Sequence, residues 1–174
     1  MRERSGSEPA SPAQGDQQPR VEDGHARSCT SVAVLIDTNV FVYRYDARFR
    51  RKQEIANDIL RSAIDAGDAR VPHQVVVEFV AATTRGMPGT RMLSAQEAVR
   101  EADDILAQFP IIYPNEAVLR TALRGFAAYG LSWFDAHLWA YAEVFGLTEI
   151  ISEEFPHGRL YGTVMTRNPF VQAQ

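Results

Sequence analysis

Acidic residues occur at several points in this sequence where formation of a hydrophobic core does not explain them. One follows an apolar run directly, one is the only acid in an apolar segment, and others follow a Ser-Trp-Phe sequence or an Ile-Ile-Ser sequence. An ionised carboxylate in apolar surroundings is costly unless it is paired or bound to a metal. Grouped carboxylates without cysteine suit hard cations such as Mg²⁺ or Mn²⁺, which can activate water for attack on a phosphodiester. The acids are Asp37, Glu78, Asp135, Glu153 and Glu154.

Each of these acids also has a structural explanation when it is considered alone. Asp37 could cap a short helix, and Asp135 completes a Ser-x-x-Asp capping box with Ser132. Glu78 could pair with an arginine distant in sequence, although no basic residue lies three or four positions from it along its own segment. Acids that follow a strand usually lie in a solvated loop. The prediction of a site therefore rests on all of these positions taken together.

The acids lie along an alternation of predicted strands and helices. Strands are predicted at residues 32–36, 69–71, 109–113, 148–152 and 162–165, from short apolar runs bounded by turn-forming or polar residues. Helices are predicted at residues 50–66, 73–85, 94–108, 115–129 and 132–144, and the second of these is so apolar that it is predicted to be buried. This alternation predicts an α/β fold with three layers, α/β/α, around a central and mostly parallel sheet. The acids would meet at the carboxyl ends of its strands, where such sheets carry their active sites.

The composition excludes several classes of protein. The chain has 174 residues and a net charge of −4, so any nucleic-acid site must be local or must act through metal ions. A single cysteine, Cys29, permits no internal disulfide and no cysteine metal cluster, which fits a cytoplasmic location. No apolar run approaches the roughly 18 residues that a membrane span needs. Residues 1–30 have few large apolar side chains and are predicted to be a disordered tail.

Five sequence motifs, in their order along the chain, resemble those of the PIN domain family, and most closely those of the VapC-type toxin ribonucleases of toxin–antitoxin pairs. The motifs are Asp37-Thr38-Asn39 after an apolar strand, Glu78 in a helix, Leu-Ser-Trp-Phe-Asp-Ala at residues 131–136, Ile-Ser-Glu-Glu-Phe-Pro-His-Gly at residues 151–158, and Asn168-Pro169-Phe170. The resemblance covers roughly residues 32–170 and implies a PIN-like nuclease domain at residues 31–174.

The resemblance implies a metal-dependent endoribonuclease that serves as the toxin of a type II toxin–antitoxin pair. Its catalytic and metal-binding acids would be Asp37, Glu78, Asp135 and Glu154, with Mg²⁺ or Mn²⁺ as the cofactor. The polar residues that support them would be Thr38, Asn39, Ser132 and Glu153. Glu154 stands where the family usually has Asp, so either Glu153 or Glu154 is the fourth acid, and one or two ions bind. The implied partners are an RNA substrate, a cognate antitoxin and a second copy of the chain.

The densest basic run has two interpretations of equal weight. It is either a surface that contacts RNA backbone phosphates or the solvated beginning of a helix. Its members are Arg44, Arg48, Arg50, Arg51 and Lys52.

Two other functions were weighed against the nuclease. An aspartyl-phosphate hydrolase is excluded, because Asn39 stands where a second acid is needed and the only lysine, Lys52, follows Asp37 too closely. The alternative that stays open is a catalytically impaired PIN-like module that binds RNA or protein.

Overall fold

The computed structural model describes residues 33–86 and 91–171. The predicted disordered tail at residues 1–30, with Cys29, lies outside the described residues, so its prediction stays untested. Among the described residues, no helix is long and apolar enough to cross a membrane.

The centre of the fold is a six-stranded sheet, and most of it is parallel. The strands are β1 (Val34–Ile36), β2 (Ala69–Pro72), β3 (Ile111–Ile112), β4 (Glu149–Ile151), β5 (Leu160–Tyr161) and β6 (Val164–Arg167). Their order across the sheet is β3-β2-β1-β4-β6-β5, and only the pairing of β5 with β6 is antiparallel. The first strand therefore lies in the middle, where both of its edges are paired.

Within the described residues, six α-helices flank these strands. They are α1 (Thr38–Tyr43), α2 (Arg50–Ala66), α3 (His73–Thr83), α4 (Ala95–Gln108), α5 (Glu116–Tyr129) and α6 (Trp133–Phe145), and a single 3₁₀ turn lies at Ala47–Phe49. The predicted capping box at Ser94 is present, because its hydroxyl accepts from the Glu97 amide while the Glu97 carboxylate accepts from the Ser94 amide. The helix bounds otherwise agree with the predicted ones to within a few residues.

The middle strands are covered on both faces. Leu35 and Ile36 are adjacent on β1, so their side chains point to opposite faces of the sheet, and both are fully buried. Ile150 and Ile151 on β4 are buried in the same way. Burial on both faces explains why these strands are continuous apolar runs without a polar alternation. The predicted three-layer α/β/α fold with a mostly parallel sheet is confirmed.

Two predictions about single elements need correction. Helix α3 was predicted to be buried, but only the stripe of Val75, Phe79 and Thr83 is, and Val77 on another face is 54% exposed. Valine at consecutive positions supplies apolar side chains all round the helix, whereas only one face has neighbours that cover it. The last predicted strand, 162–165, is a hairpin of two strands, β5 and β6, which turns at Gly162 with a φ of 60°.

Candidate active site

The register of the parallel strands brings two polar residues together at the carboxyl edge of the sheet. Ile36 of β1 pairs with Ile151 of β4, so the residues that follow them, Asp37 and Ser152, become neighbours. The Ser152 hydroxyl donates to Asp37 Oδ2 over 2.5 Å, and the Asp37 amide donates to the Ile151 carbonyl over 3.1 Å. A site is thus built from two segments that are more than a hundred residues apart in sequence.

Asp37 serves both as a helix cap and as part of this site. Its Oδ1 accepts from the Thr38 amide over 2.6 Å, which starts α1, and its Oδ2 also accepts from Asn39 Nδ2 over 2.6 Å. The side-chain Nδ2 of Asn39 also donates to the Ser152 hydroxyl, over 3.1 Å. A role of Asp37 as a helix cap is therefore compatible with a role in the site, because capping uses Oδ1 whereas Asn39 and Ser152 bind Oδ2.

Glu78 reaches the same place because α3 packs against α1. The Thr38 hydroxyl donates to Glu78 Oε2 over 2.9 Å, and Gln74, one turn earlier on α3, donates to Oε1 over 2.8 Å. Among the described residues, no arginine or lysine lies within ion-pair distance of Glu78. The alternative of a structural ion pair for Glu78 is therefore not present in the described part of the chain.

Asp135 lies in the first turn of α6. The Ser132 hydroxyl donates to Asp135 Oδ2 over 2.7 Å and lies 3.1 Å from the Asp135 amide at the start of the helix. Gln74 links this turn to α3, since its side-chain amide donates to the Phe134 carbonyl over 3.2 Å as well as to Glu78. The two helices that carry Glu78 and Asp135 are thus held together by a neutral side chain.

The adjacent acids Glu153 and Glu154 point to different surroundings. The Glu154 amide donates to the Ser152 hydroxyl over 3.0 Å, and Glu154 lines the same cleft as Asp37. The Glu153 carboxylate instead binds Lys52 Nζ, with both oxygens at 2.8 Å. Of the two acids, Glu154 therefore lines the cleft, while the Glu153 carboxylate is ion-paired with Lys52.

The acids line one open cleft of about 780 Å³. Asp37, Glu78, Asp135 and Glu154 all contribute to its walls, together with Thr38, Asn39, Ser132 and Gln74. Its remaining walls include Arg48, Arg85, Met92 and Phe134. Its volume is in the range of about 300–1,000 Å³ that is typical of binding pockets.

Burial and mutual repulsion shift the protonation of two of these acids. Burial raises the pKa of Asp37 to about 7, the hydrogen bonds from Ser152 and Thr38 act in the opposite direction, and the charges of Glu78 and Asp135 raise it further. Burial and then the charge of Asp135 also raise the pKa of Glu154 above its ordinary value, while Lys52 lowers it. Burial and the neighbouring charges therefore oppose ionisation of Asp37 and Glu154 in this cleft.

The donor set of the cleft fits a divalent cation of the hard class. Four carboxylates come from separate segments, and Asn39 Oδ1 is a buried oxygen with no hydrogen-bond partner among the described residues. Such an all-oxygen set is the kind that Mg²⁺ and Mn²⁺ prefer. In the described part of the chain, however, no three acidic or histidine side chains are grouped so that they could hold an ion as they stand. Binding would therefore require the carboxylates to move closer together.

Most residues of the densest basic run do not line the cleft. Lys52 is buried and ion-paired with Glu153, and Arg50 and Arg51 pair with Glu54 on the exposed side of α2. The Arg44 guanidinium lies over the ring of Tyr45, 5.5 Å from its centroid. Of the five residues, Arg48 lines the cleft.

Sequence reasoning did not single out four residues that shape this cleft. Ser152 could have been found, since it follows an apolar strand as Asp37 does and any parallel pairing of the two strands would place them side by side. Gln74 was noted only as an uncharged neighbour of Glu78. Phe134 gave a signal only as an aromatic neighbour of Asp135, which implied a buried or cleft-lining setting for the pair of aromatic residues. Arg85 had no signal of its own, because only the packing of α3 and the loops brings it to the cleft.

A family model identifies the family of this chain. The PIN domain model matches residues 34–154, which is more than half of the chain. The chain belongs to the PIN domain family. The matched segment contains Asp37, Glu78, Asp135 and Glu154, and it runs from β1 to the residues that follow β4. A search of curated proteins returned no match.

Solved structures with the same fold include several toxins. VapC20 of Mycobacterium tuberculosis, a toxin that cleaves the sarcin-ricin loop, is 16% identical with a TM-score of 0.56, over 68% of this chain and 87% of that one. A toxin–antitoxin complex from Klebsiella pneumoniae is 18% identical with a TM-score of 0.55, over 79% and 98% of the two chains. VapBC2 of Rickettsia felis, bound to a DNA fragment from its promoter, is 11% identical with a TM-score of 0.56, over 78% and 98%. At these identities the likeness concerns the fold.

Proposed function

We propose that this PIN domain protein is a metal-dependent endoribonuclease and the toxin of a type II toxin–antitoxin pair. The observation that carries the proposal is the convergence of Asp37, Glu78, Asp135 and Glu154 on one cleft at the carboxyl edge of the sheet. These acids come from segments that are far apart in sequence, and they repel one another. An arrangement that costs stability and still leaves the acids facing a common cleft is typical of a functional site.

Polar neighbours fix where three of the four carboxylates point. Ser152 and Asn39 hold one oxygen of Asp37, Thr38 and Gln74 hold the two oxygens of Glu78, and Ser132 holds Asp135. Ligands that are oriented by hydrogen bonds need less reorganisation when an ion binds. A Mg²⁺ or Mn²⁺ ion held by these carboxylates would activate a water molecule for attack on an RNA phosphodiester and stabilise the charge on the leaving oxygen.

The proposed partners follow from the similar structures. Two of them are a toxin–antitoxin complex and VapBC2, and the acids that this chain's resemblance to VapC-type toxins implies all line the cleft. We therefore propose an antitoxin as the protein partner, a homodimer as the assembly and the cytoplasm as the location. A small neighbouring reading frame whose product co-purifies with this chain and inhibits cleavage would support the pairing. Light scattering of the purified protein tests the dimer.

The experiment that tests the activity is RNA cleavage by the purified chain with Mg²⁺ or Mn²⁺, with EDTA as a control. Asp37→Asn should reduce cleavage by at least about 100-fold while the protein stays folded, because the shape is kept and the ligand charge is lost. Asp58→Asn is the matched control, since Asp58 is an exposed acid on α2 that pairs with Arg61 outside the cleft. Equal cleavage by Asp37→Asn and the wild type would exclude the proposed site.

One observation favours the alternative, a PIN-like module that binds RNA or protein without cleaving it. No three of the described acidic or histidine side chains are grouped closely enough to hold an ion as they stand. A calorimetric titration of the protein with Mn²⁺ separates the two functions. A nuclease binds Mn²⁺ in a way that depends on Asp37, whereas a module that has lost catalysis shows no Asp37-dependent binding.

A further inference from the structure

Phe134 is an apolar ring in an unusually exposed position. Its side chain is 63% exposed, the largest value among the exposed large hydrophobic residues of the described chain, and it lines the acidic cleft. It directly precedes Asp135 on α6. Exposure of so much apolar surface is unfavourable in water, so a ring at this place is either incidental or covered when the cleft is occupied.

The neighbouring Trp133 is also exposed, at 37%, but unlike Phe134 it packs against other aromatic rings. Trp133 packs edge-on against Phe126 and His137, with ring centroids 5.9 and 4.7 Å apart. Phe134 has no aromatic partner among the described residues. Two consecutive aromatic residues therefore differ, since one contributes to packing and the other is presented to the cleft.

The backbone of Phe134 is held in a defined place relative to the acids. Gln74 donates one hydrogen bond to the Phe134 carbonyl over 3.2 Å and another to Glu78 over 2.8 Å. Asp135, the next residue, is fixed by Ser132. The ring is thus attached to a turn whose position is tied to two of the cleft carboxylates.

A positive charge lies in the same cleft. Arg85, just beyond α3, lines it and is exposed, and no carboxylate of the described residues lies within 4 Å of its guanidinium. Arg48 also lines the cleft, but its charge is offset by two hydrogen bonds to Asp46 of 2.8 and 2.7 Å. Arg85 is therefore the cleft cation that is available to an anionic ligand.

These observations rest on the proposed nuclease function and make its substrate more specific. We propose that Phe134 stacks on an unpaired base of the RNA next to the cleaved bond, and that Arg85 contacts a backbone phosphate. An aromatic ring can stack on any base, but only on one whose face is not already covered by its neighbours in a duplex. The cleft would therefore select single-stranded or looped RNA, without strong preference for one base at this position.

The test measures binding of a short, unstructured, fluorescein-labelled RNA and of the same sequence as a duplex, by fluorescence anisotropy with Mn²⁺ present. All proteins carry Asp37→Asn so that the probe stays intact. Phe134→Ala should weaken binding of the single strand by about 5- to 140-fold and leave duplex binding unchanged. Phe134→Trp should retain single-strand binding, while Phe134→Leu should lose it, because leucine is apolar and cannot stack.

Phe145→Ala is the matched control. Phe145 lies on the same helix, about 16 Å along its axis from Phe134, and is 39% exposed. The Phe145→Ala variant should bind both probes as tightly as the parent, which is the protein that carries Asp37→Asn alone.

The proposed phosphate contact of Arg85 is tested by the salt dependence of binding. Arg85→Gln should reduce the slope of log affinity against log salt concentration by the amount of about one phosphate contact. Arg61→Gln, on the exposed side of α2, should leave this slope unchanged.

The outcomes separate this inference from the proposed function. If the protein without Asp37→Asn cleaves RNA and Phe134→Ala binds the single strand as tightly as the parent, the stacking proposal is wrong and the nuclease proposal stands. If Phe134→Leu binds like the parent, the contact is apolar without stacking, as in docking of a protein segment, and the proposal is overturned. If the Asp37→Asn parent binds neither probe and the wild-type protein cleaves no RNA, both proposals fail.

Discussion

Glu153 and Glu154 are adjacent in sequence and have opposite electrostatic surroundings. Glu153 is bound by Lys52, whose ammonium also donates to the Tyr43 hydroxyl over 3.0 Å and lies over the rings of Tyr43 and Phe170. Glu154 faces the cleft, where burial and the charge of Asp135 raise its pKa. One carboxylate is neutralised within the fold, and the next is placed among other carboxylates.

The difference shows how this fold distributes its charges. Lys52 is the only lysine of the chain, and it is buried on α2 beside the loop that follows β4. The ammonium of lysine is a compact charge with three donors, and that of Lys52 contacts both Glu153 carboxylate oxygens and the Tyr43 hydroxyl. By holding Glu153 away from the cleft, Lys52 leaves Glu154 as the acid that enters it. The ion pair stabilises the fold, whereas the cleft acids destabilise it unless a cation binds.

The largest expected effect concerns Asp37 and pH. Because its carboxyl pKa is raised to about 7, the folded protein keeps this proton to a higher pH than the unfolded chain does. The contribution of this proton to the free energy of unfolding is fully present below the unfolded pKa of about 4 and is lost as the pH rises through about 7. The loss amounts to at most about 4 kcal/mol. Asp37→Asn should remove this loss. Urea unfolding in EDTA at about pH 5 and about pH 8 captures about 3 kcal/mol of it, with Asp58→Asn as the control. Equal pH dependence in Asp37→Asn and wild type would contradict the prediction.

The second effect tests the other member of the comparison. Lys52→Met should lower the free energy of unfolding by about 2–4 kcal/mol, because it leaves the largely buried Glu153 carboxylate without its cation. Lys52→Arg should recover only part of this loss. Adding Glu153→Gln to Lys52→Met should restore much of the stability, and urea unfolding of the full set gives the coupling energy. A change of less than about 0.5 kcal/mol in Lys52→Met would show that the pair is no stronger than a surface ion pair.

The third effect separates the two glutamates in activity. Glu154→Gln should reduce cleavage by about 10- to 100-fold and weaken Mn²⁺ binding, because a cleft carboxylate loses its charge. Glu153→Gln should lower the melting temperature and leave cleavage of the remaining folded protein close to that of the wild type. Cleavage assays and Mn²⁺ calorimetry well below both melting temperatures give the comparison. The opposite result would make Glu153 the fourth acid.

The smallest expected effect on stability is at Glu78. Glu78→Gln removes a charge that opposes Asp37, and it keeps an oxygen that can accept from Thr38 or Gln74. The free energy of unfolding in EDTA should therefore stay unchanged or rise by up to about 1 kcal/mol, while Mn²⁺ affinity and cleavage fall. Thermal melts with and without Mn²⁺ measure both. A variant that melts well below the wild type in EDTA would mean that Glu78 has a stabilising partner.

Much of the fold could be predicted from local sequence. The apolar runs at β1 and β4 are long enough to be buried on both faces, and glycines end α2, α5 and α6, as at Gly67 with a φ of 67°. Each of these signals depends on neighbours within one element. The hairpin of β5 and β6 was missed, because its strands are short and depend on pairing with β4 for their stability.

The sequence by itself determined which acids the protein has available and that each stands at the end of a strand or on a helix beside one. It could not decide between Glu153 and Glu154, since both follow the same strand and have the same chemistry. That decision belongs to the tertiary structure, because Lys52 comes from α2 and reaches Glu153 across about a hundred residues of chain. The same holds for Ser152, whose hydroxyl meets Asp37 only through the register of two parallel strands. Hydrogen bonds and ion pairs act over a few ångströms, so contacts between distant segments exist only after the sheet has aligned them.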